Sequence, residues 1–595
     1  MKYPSPILKP YALTRFFKAT FIAGILPVFL LLLSIQSGRA GSATWNMNPT
    51  SGDWNTASNW TPNTVPNGPS DLATFDASNI TTASISADTE VNGIMFNPTG
   101  SAFTITVGST SQLTLSGLGI TNDSGVTQTI VNAVDFAGNA GLTNFTNAAH
   151  AGDCAFINNP SGAYRSPASG TQFFGNSTAG SGSFSNNGGE GDGALGGFTQ
   201  FFDTSTAGNG TFVTSGAGWV FAEGGRTIFH DSSSGGDATF TNNGTFAGTG
   251  GHTGFFDTST AASATFINNG GWGHFGGGEG GVVEFFNNST AAAGTFTNNG
   301  GAGAGRSGKT IFNQRSNAGK AILIANPGSN DNGGSIEFLG RSSGGKARVE
   351  IFGNGILDIS VHSTPGVTIG SLEGTGMVFL GSNNLSVGSN NSSTTFSGVI
   401  QDSGSLTKLG TGSLTLTIAN TYIGGTTIED GTFVVNNKHA SGTGSGPVQI
   451  NGGTLGGGGT VAGPVTIGTG NGDGAIISPG NAAGEPSVLT IQSALTFNSD
   501  ATYKCGVNSD RTTANSVIAN GVTISNGALF SCQDFGNSAM PPGTVVTVID
   551  NTSATPLDGT FSNLTDGSTF IAGSNTFQVN YHGGDGNDLT LTVMP

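Results

Sequence analysis

The residues best placed to do chemistry are glutamates that lie near an arginine or a second glutamate. Glu223 and Arg226 occur in AEGGRTIF, and Glu279 and Glu284 occur in GGGEGGVVEFF. Paired carboxylates can hydrolyse a glycosidic bond, and an acid field beside a basic residue can support proton abstraction from a polysaccharide. These four residues are therefore the candidates for an enzyme that acts on polysaccharides, as a lyase or as a hydrolase.

The spacing of the two best carboxylates argues against that chemistry. Glu223 and Glu279 are 56 residues apart. This is about two coils of the repeat described below, or ~9.6 Å at the spacing of adjacent strands. That separation is too long for a retaining pair and near the upper limit for an inverting pair. We expect surface acids and no catalytic residue, and the polysaccharide-acting enzyme stays as the alternative.

Three histidines recur at a constant interval, as metal ligands sometimes do. His230, His252 and His274 are spaced by 22 residues, whereas the repeat has about 27 residues. We therefore expect them to drift around the coil and not to stack. No HxH or HxxxH pair occurs in the chain, and zinc sites commonly use such pairs. We expect no metal site here.

Two further motifs resemble functional sites by residue type only. His150, Asp153 and Cys154 in HAGDCAF are the residue types of a catalytic triad with a cysteine nucleophile. Cys154, however, lies two residues before Phe156, which has an inward strand position. GGDGNDLTL, which contains Asp588, resembles one calcium-binding nonapeptide repeat. That motif holds metal only by stacking successive copies, and Leu589 and Leu591 are out of its usual register. We expect a tight turn, and no cofactor.

Composition sets the class of protein that must position these residues. The chain has 101 glycines in 595 residues, only 9% charged residues and a net charge of −17. A field of that sign repels phosphate backbones and anionic lipid surfaces, which argues against nucleic-acid and membrane-surface binding. The 40 phenylalanines argue against disorder, because disordered chains are poor in aromatic residues.

A repeat of about 27 residues organises the middle of the chain. Two apolar ladders keep a fixed offset of ten or eleven residues. The members of the first ladder are Phe174, Phe202, Phe229, Phe256, Phe286, Phe312 and Phe338, and those of the second are Phe156, Phe184, Phe212, Phe240, Phe266, Phe296 and Ile322. A unit this short cannot bury its own apolar face, so it must stack on copies of itself. The repeat predicts an all-β parallel β-helix, or β-solenoid, with each ring above its equivalent in the next coil.

Asparagine pairs follow the second ladder in most coils. They are Asn158-Asn159, Asn186-Asn187, Asn242-Asn243, Asn268-Asn269 and Asn298-Asn299. Asparagine tolerates the left-handed conformation that a sharp corner needs, and stacked amides can hydrogen-bond along a column. We interpret these pairs as corners of the coil and not as a binding site.

The first forty residues have the pattern of an export signal. A basic stretch is followed by the apolar run FIAGILPVFLLLLSI and the small residues SGRA, and we expect cleavage near Ala40. The alternative is an uncleaved anchor, because Ala19 to Ile35 is close to the shortest membrane span. Three cysteines exclude a disulfide scaffold. A bridge between Cys505 and Cys532 stays open, with free thiols as the expectation.

One segment carries a family pattern. LTKLGTGSLTLTIANTYIGGTTIEDGTFVVNN, residues 406–437, resembles the autotransporter-associated β-strand repeat of exported passenger proteins. Alternation places Leu414, Leu416, Ile418, Phe433 and Val435 toward the core. The resemblance implies an exported β-solenoid; the last hundred residues are too few and too rich in Gly and Asp for the family's transporter barrel, so we expect a passenger without one.

Both ends of the chain have the composition of caps. Trp45, Trp54 and Trp60 are large enough to cover the first coil, and the segment from about residue 496, with a strand at Thr544 to Ile549, serves as the other cap. We predict a signal peptide at 1–40, an N-terminal cap at 41–140, Phe/Asn-ladder repeats at 141–360, the passenger-type repeat at 361–495 and a C-terminal β cap at 496–595.

These patterns predict a non-catalytic, structural or adhesive protein that is secreted or displayed on the cell surface. Binding would be spread over repeating rows of Thr, Ser, Asn and Asp. The partners left open are a polysaccharide or cell-surface glycan and self-association, with no nucleic acid and no membrane span after signal removal.

Overall fold

The computed structural model describes residues 41–162, 164–273, 278–472, 474–480 and 487–595, all within one structural unit. The export signal predicted for residues 1–40 lies outside these residues, as does His274. Within the described residues no helix reaches the length and apolar character needed to span a membrane.

Short strands stack in register from one coil to the next. Phe173 pairs with Phe201 and Phe184 pairs with Phe212, in both cases between parallel strands of successive coils. The chain therefore winds as a parallel β-solenoid of about 18 turns with ~26 residues per turn. The predicted fold is confirmed.

The first sheet has 16 strands along one side of the solenoid. Its strands are parallel except for the first two, which pair antiparallel. They are Ala43–Trp45, Trp60–Thr61, Gly68–Phe75, Thr89–Phe96, Gln112–Asn122, Leu142–Phe145, Gly170–Phe173, Phe198–Phe201, Arg226–Phe229, His252–Phe255, Val282–Phe285, Lys309–Phe312, Ser335–Phe338, Ile356–Asp358, Met377–Phe379 and Val399–Gln401.

The second sheet lies across the core from the first and runs almost the whole length of the solenoid. Its strands are Thr82–Ile85, Thr104–Val107, Thr129–Asn132, Ala155–Asn158, Ser183–Asn186, Thr211–Thr214, Thr239–Asn242, Thr265–Asn268, Thr295–Asn298, Ile322–Ala325, Arg348–Ile351, Ser371–Gly374, Thr394–Phe396, Ser413–Leu416, Thr432–Val435, Gly453–Gly457, Ala475–Pro479, Ala501–Asn508, Thr513–Ala514 and Leu529–Asp534.

A third face closes each coil. In the Phe-rich coils it is a column of single-residue bridges that includes His150, Thr178 and Thr206, and further along it becomes a sheet of 8 strands. That sheet contains Gly366–Ile369, Asn384–Val387, Ser405–Lys408, Thr426–Ile428, Val448–Ile450, Val465–Ile467, Leu495–Phe497 and Val522–Ile524.

The remaining elements are a terminal sheet and two small pieces. The terminal sheet has 7 strands, which are Thr460–Val461, Val488–Ile491, Ser516–Ala519, Val545–Asn551, Thr569–Ala572, Asn575–Gly583 and Asp588–Val593. Trp272–Gly273 pairs with Ala302–Gly303, and Ala57–Asn59 forms a 3-10 turn.

Two stacked columns of phenylalanine fill the core of the Phe-rich coils. Ring centroids within a column are 4.6–5.0 Å apart, as between Phe240 and Phe266 at 4.7 Å. The columns meet edge to face, with Phe255 and Phe266 at 5.8 Å and 77°. Both arrangements are favoured geometries for aromatic pairs, worth ~0.5–1.5 kcal/mol beyond burial.

The first predicted ladder is displaced by one residue where the sequence has two phenylalanines in a row. Phe173, Phe201, Phe255 and Phe285 are the buried members, because each is the inward last residue of its strand. Their neighbours in sequence lie on the turn and are half-buried in a separate outer column. That column is Phe174, Phe202, His230, Phe256 and Phe286. In the second ladder Leu323 pairs with Phe296. The ladder member is therefore Leu323, and the prediction of Ile322 is wrong by one residue.

The asparagine column exists, but its backbone conformation differs from the prediction. Asn242 Nδ2 donates to Asn268 Oδ1 and Asn268 Nδ2 donates to Asn298 Oδ1, both at 2.8 Å. These residues are buried at the ends of strands and have no positive φ. The left-handed conformation occurs instead on the turn after the first sheet, at Asp203, Asp231 and Asp257. A strand end directs the amide into the core, where it needs a partner in the next coil.

Coils become shorter in the passenger-type segment. Leu414 pairs with Phe433 and Leu385 pairs with Leu406 in the adjacent coil, so the repeat there is 19 to 21 residues long. Leu414, Leu416, Phe433 and Val435 are buried as predicted. Ile418 is only partly buried, because the strand ends at Leu416.

Both ends of the solenoid carry large buried side chains. Trp45, Trp54 and Trp60 are at most 1% exposed and pack against one another and Phe75. At the other end, antiparallel strands cover the last coils, including Val545–Asn551 paired with Asp588–Val593. The four boundaries between the five predicted segments stay predictions.

Candidate functional site

Glu223 and Glu279 lie at equivalent positions of coils two apart. Glu223 immediately precedes Gly224 and Glu279 precedes Gly280, and these glycines belong to one column of close backbone contacts through Gly250. Each carboxylate already has a cationic partner: Arg226 for Glu223 and Arg306 for Glu279, both at 3.1 Å. The predicted interpretation as surface acids agrees with this geometry, since both pairs are partly exposed and such pairs add little stability.

Glu284 has a different partner from Glu279. Its Oε2 lies 3.3 Å from His252 Nε2 in the preceding coil. On the same sheet, one coil beyond, Lys309 Nζ lies 2.7 Å from Glu337 Oε1. These contacts link successive coils across the outer face of the first sheet. The structure therefore does not bring Glu279 and Glu284 together as a carboxylate pair.

His230 and His252 occupy different positions on the coil, as predicted for them, and His274 lies outside the described residues. His230 is stacked in the outer aromatic column between Phe202, at 4.9 Å, and Phe256, at 5.4 Å. Burial lowers its pKa, while the carboxylates of Asp257 and Asp231 oppose that change. His252 begins a strand of the first sheet. Within the described ranges no three His, Cys, Asp or Glu side chains cluster as a metal site would require.

Cys154 lies in the core, not in a site. It is fully buried, and desolvation, followed by the charge of Asp153, raises the pKa of its thiol to about 12. A thiol in that environment is inert as a nucleophile. His150 belongs to the third face, where it bridges Gly119 and Thr178.

The segment resembling a calcium-binding repeat is a hairpin turn, as predicted. It joins Asn575–Gly583 to Asp588–Val593. Asp588 Oδ1 accepts a hydrogen bond from the backbone nitrogen of Asn551 at 2.9 Å, and burial raises the pKa of its carboxyl. Leu589 and Leu591 face the core. This carboxylate therefore holds a neighbouring strand.

Cys505 and Cys532 occupy directly paired positions of adjacent parallel strands. Both are free thiols in the structure. The hydrogen bond between them and burial together raise the pKa of Cys505.

The passenger-type segment contains buried polar contacts that sequence reasoning missed. Lys408 is 1% exposed, and its Nζ donates to the carbonyls of Leu409, Gly410 and Asp430 at 2.6, 2.7 and 3.2 Å. Burial lowers its pKa. Period-two alternation after Leu406 already points Lys408 inward, which is the signal that could have found it.

Asn420 and Tyr422, from the ANTY turn, make further buried polar contacts. Asn420 Oδ1 accepts from the backbone nitrogen of Ile400 at 2.8 Å, and its Nδ2 donates to Gly442 O at 2.7 Å. The Tyr422 hydroxyl lies 2.6 Å from Thr426 Oγ1. Lys408 and Asn420 thus link neighbouring coils, whereas Tyr422 bonds within its own turn.

The turn after the first sheet repeats the same polar surface in successive coils. Asp203 and Asp231 are exposed, and the backbone nitrogen of each donates to the side chain of the equivalent residue one coil on, at 3.0 and 3.1 Å. The next residue in each turn is also exposed and polar, and Ser232 Oγ lies 3.0 Å from Thr258 Oγ1. Rows of carboxylates and hydroxyls therefore run parallel to the solenoid axis.

Two parts of the chain are similar to known sequences of exported proteins. Residues 406–435 match the passenger-associated-transport-repeat family. The chain is also 38% identical over 108 residues to the Adhesin BmaC autotransporter of Brucella suis biovar 1 (strain 1330). That alignment covers 18% of this chain and 3% of the adhesin.

A similarity to a solved structure is weaker. The crystal structure of the Haemophilus influenzae Hap adhesin aligns with a TM-score of 0.27 and 11% identity, over 88% of this chain and 64% of that one. At that TM-score the alignment carries no argument about this chain. The β-solenoid fold rests on the strand pairing of this chain itself, and the passenger-type repeat is assigned to residues 406–435 alone.

Proposed function

We propose that this protein is a non-catalytic adhesive β-solenoid that is exported and either displayed on the cell surface or secreted. The observation that carries the proposal is the repetition of one polar turn in successive coils. Asp203-Thr204 and Asp257-Thr258 occupy equivalent exposed positions two coils apart. A stiff stack of such turns presents many equivalent contacts to one extended partner.

Repetition suits adhesion because weak contacts on one rigid support reinforce each other through a high effective concentration. Once one coil is bound, the next contact is intramolecular, so avidity can exceed the affinity of any single contact. The match to a passenger repeat and the partial match to an adhesin support this function. The ion pairs of Glu223 with Arg226 and of Glu279 with Arg306 support a function without catalysis. They occupy the two carboxylates that were the strongest candidates for an acid or a base.

Incubation of residues 41–595 with an immobilised polysaccharide panel and with whole cells tests the proposal. Retention on the matrix and release of reducing or unsaturated ends are followed in the same samples. We expect retention by at least one polysaccharide without formation of new ends. Formation of ends that Glu223→Gln abolishes would show an enzyme, and absence of retention by every polysaccharide and by whole cells would contradict adhesion.

A further inference from the structure

Exposed aromatic rings are concentrated on one loop of the coil. The described aromatic residues that are more than half exposed all lie in the loops between a strand of the second sheet and the next strand of the first sheet. We call this set the aromatic ridge: Phe136, Tyr164, Trp219, Phe221, Phe246 and Trp272. Elsewhere these coils bury or stack their rings, so the exposure is a local feature that needs a cause.

The loops that carry the ridge contact one another from coil to coil. Backbone nitrogens donate to carbonyls of adjacent loops from Arg165 to Gly193, from Gly218 to Gly189 and from Trp272 to Thr245, at 3.0, 2.8 and 3.0 Å. A small apolar cluster of Ala194, Ala217 and Ala222 lies beneath them. The rings are therefore held along one side of the solenoid, on an ordered support.

Two residues of these loops adopt a conformation that their side chains disfavour. Phe221 has φ 68° and Arg165, beside Tyr164, has φ 50°. Glycine adopts such angles freely, and this chain has 101 glycines. A bulky residue in the left-handed region is uncommon, and such strain concentrates at functional positions. The ring of Phe221 is 81% exposed, so the strain is not repaid by burial of the ring.

A cleft at one end of the ridge combines rings with carboxylates. It has a volume of about 570 Å³ and is lined by Phe136, Tyr164, Glu190 and Asp192, among others. Glu190 and Asp192 are exposed and form no ion pair with any described residue. An apolar wall with a few convergent polar groups is the usual composition of a ligand site.

We propose that the aromatic ridge binds a neutral polysaccharide of pyranose sugars, laid across successive coils with one end in this cleft. The inference rests on the proposed adhesive function and names the ligand class and the face that binds it. Aromatic rings pack against the C–H faces of pyranoses, and the carboxylates of Glu190 and Asp192 accept hydrogen bonds from sugar hydroxyls.

Charge and backbone pairing select this occupant over others. The chain carries −17, and the charged side chains that line the cleft are the carboxylates of Glu190 and Asp192, so sulfated or uronic acid polymers are repelled. The Arg165 guanidinium lies beside the cleft, 5.4 Å from the centre of the Tyr164 ring, and is outnumbered there by the two carboxylates. A peptide that adds a strand needs an unpaired sheet edge. The backbone of the ridge loops is instead engaged between coils, as in the bonds from Arg165 to Gly193 and from Trp272 to Thr245.

Binding of cellohexaose, mannohexaose and heparin to residues 41–595 tests the ridge directly. The variants are Phe136→Ala with Tyr164→Ala, and Trp219→Ala with Phe246→Ala. The matched control is Val361→Ala with Ile571→Ala, which removes exposed apolar side chains away from the ridge. We expect a neutral hexasaccharide to bind, with affinity falling roughly two- to tenfold for each ring removed and unchanged in the control.

Phe221→Gly separates a binding role from a structural one. Glycine relieves the left-handed conformation, so the Tm should not fall, while affinity for the neutral sugar should fall. A structural role for the ring would instead lower the Tm.

Three outcomes would overturn the ridge proposal. Unchanged sugar binding in both ridge variants would show that the ligand binds elsewhere, with the adhesive function intact. Binding of heparin or of a protein ligand alone would show that the ligand class is wrong. Absence of binding to every sugar, with retention on whole cells, would refute the glycan and leave adhesion standing.

Discussion

Phe240 and Phe266 stack face to face across adjacent coils, with ring centroids 4.7 Å apart and ring planes 7° apart. Phe266 continues the column to Phe296 at 4.6 Å. Each ring is thus covered on both faces by its equivalents, and its edge meets the other column. The stability of a coil therefore depends on its two neighbours and not on distant coils.

Truncation of a stacked ring should have a regional effect. Phe266→Ala should cost ~3–5 kcal/mol in the local free energy of unfolding, because it opens a cavity in a close-packed column. Amide hydrogen exchange should increase in the coils that contain Phe240 and Phe296, while distant coils stay protected. Phe256→Ala, in the half-buried outer column, is the control and should cost less. Equal losses in the two variants would contradict the burial of the inner column.

The asparagine column should be sensitive to the loss of one amide. Asn268→Ala leaves the Nδ2 of Asn242 without its acceptor in a buried position, which should cost ~1–3 kcal/mol. Asn268→Thr should cost less, because Thr214 already holds the equivalent position and bonds Asn242 Oδ1 at 2.6 Å. Hydrogen exchange or chemical unfolding measures both, with the exposed Asn288→Ala as control. No difference between Ala and Thr would refute the amide ladder as a stabilising contact.

Lys408 should make stability depend on alkaline pH. Burial lowers the pKa of Lys408 in the native chain from the ordinary value of 10.5. Between that lowered pKa and 10.5, the unfolded chain therefore binds more protons than the native chain. Stability of the wild type relative to Lys408→Met should therefore rise with pH through this window. Denaturant unfolding at several alkaline pH values measures the difference. A relative stability that falls as pH rises would contradict the lowered pKa.

The repeat could be predicted from the sequence because the same residue types recur once per coil. In the doublet Phe255-Phe256 the period alone assigned Phe256 to the ladder, which is wrong by one residue, because both members fit the period and only the end of the strand selects Phe255. The asparagine pairs suggested corners of the coil. The amide of Asn268 is instead buried and bonded to the next coil, and Asp257 has the left-handed conformation of the turn. The exposure of Phe221 could not be predicted, because a loop ring can fold back onto the coil or away from it.

The most direct test of distributed binding is the deletion of residues 213–266. Phe212 and Phe266 occupy equivalent positions two coils apart, so the deletion joins Phe212 to Ile267 in register. It also removes Trp219, Phe221 and Phe246 from the ridge. Retention on the polysaccharide or cell surface that holds the wild type is compared, with Glu223→Gln as the single-site control and circular dichroism as the check on folding. We predict a shorter folded solenoid with partial loss of binding, and an unchanged Glu223→Gln variant. A folded deletion variant with binding wholly lost, or loss of function in Glu223→Gln alone, would contradict the account.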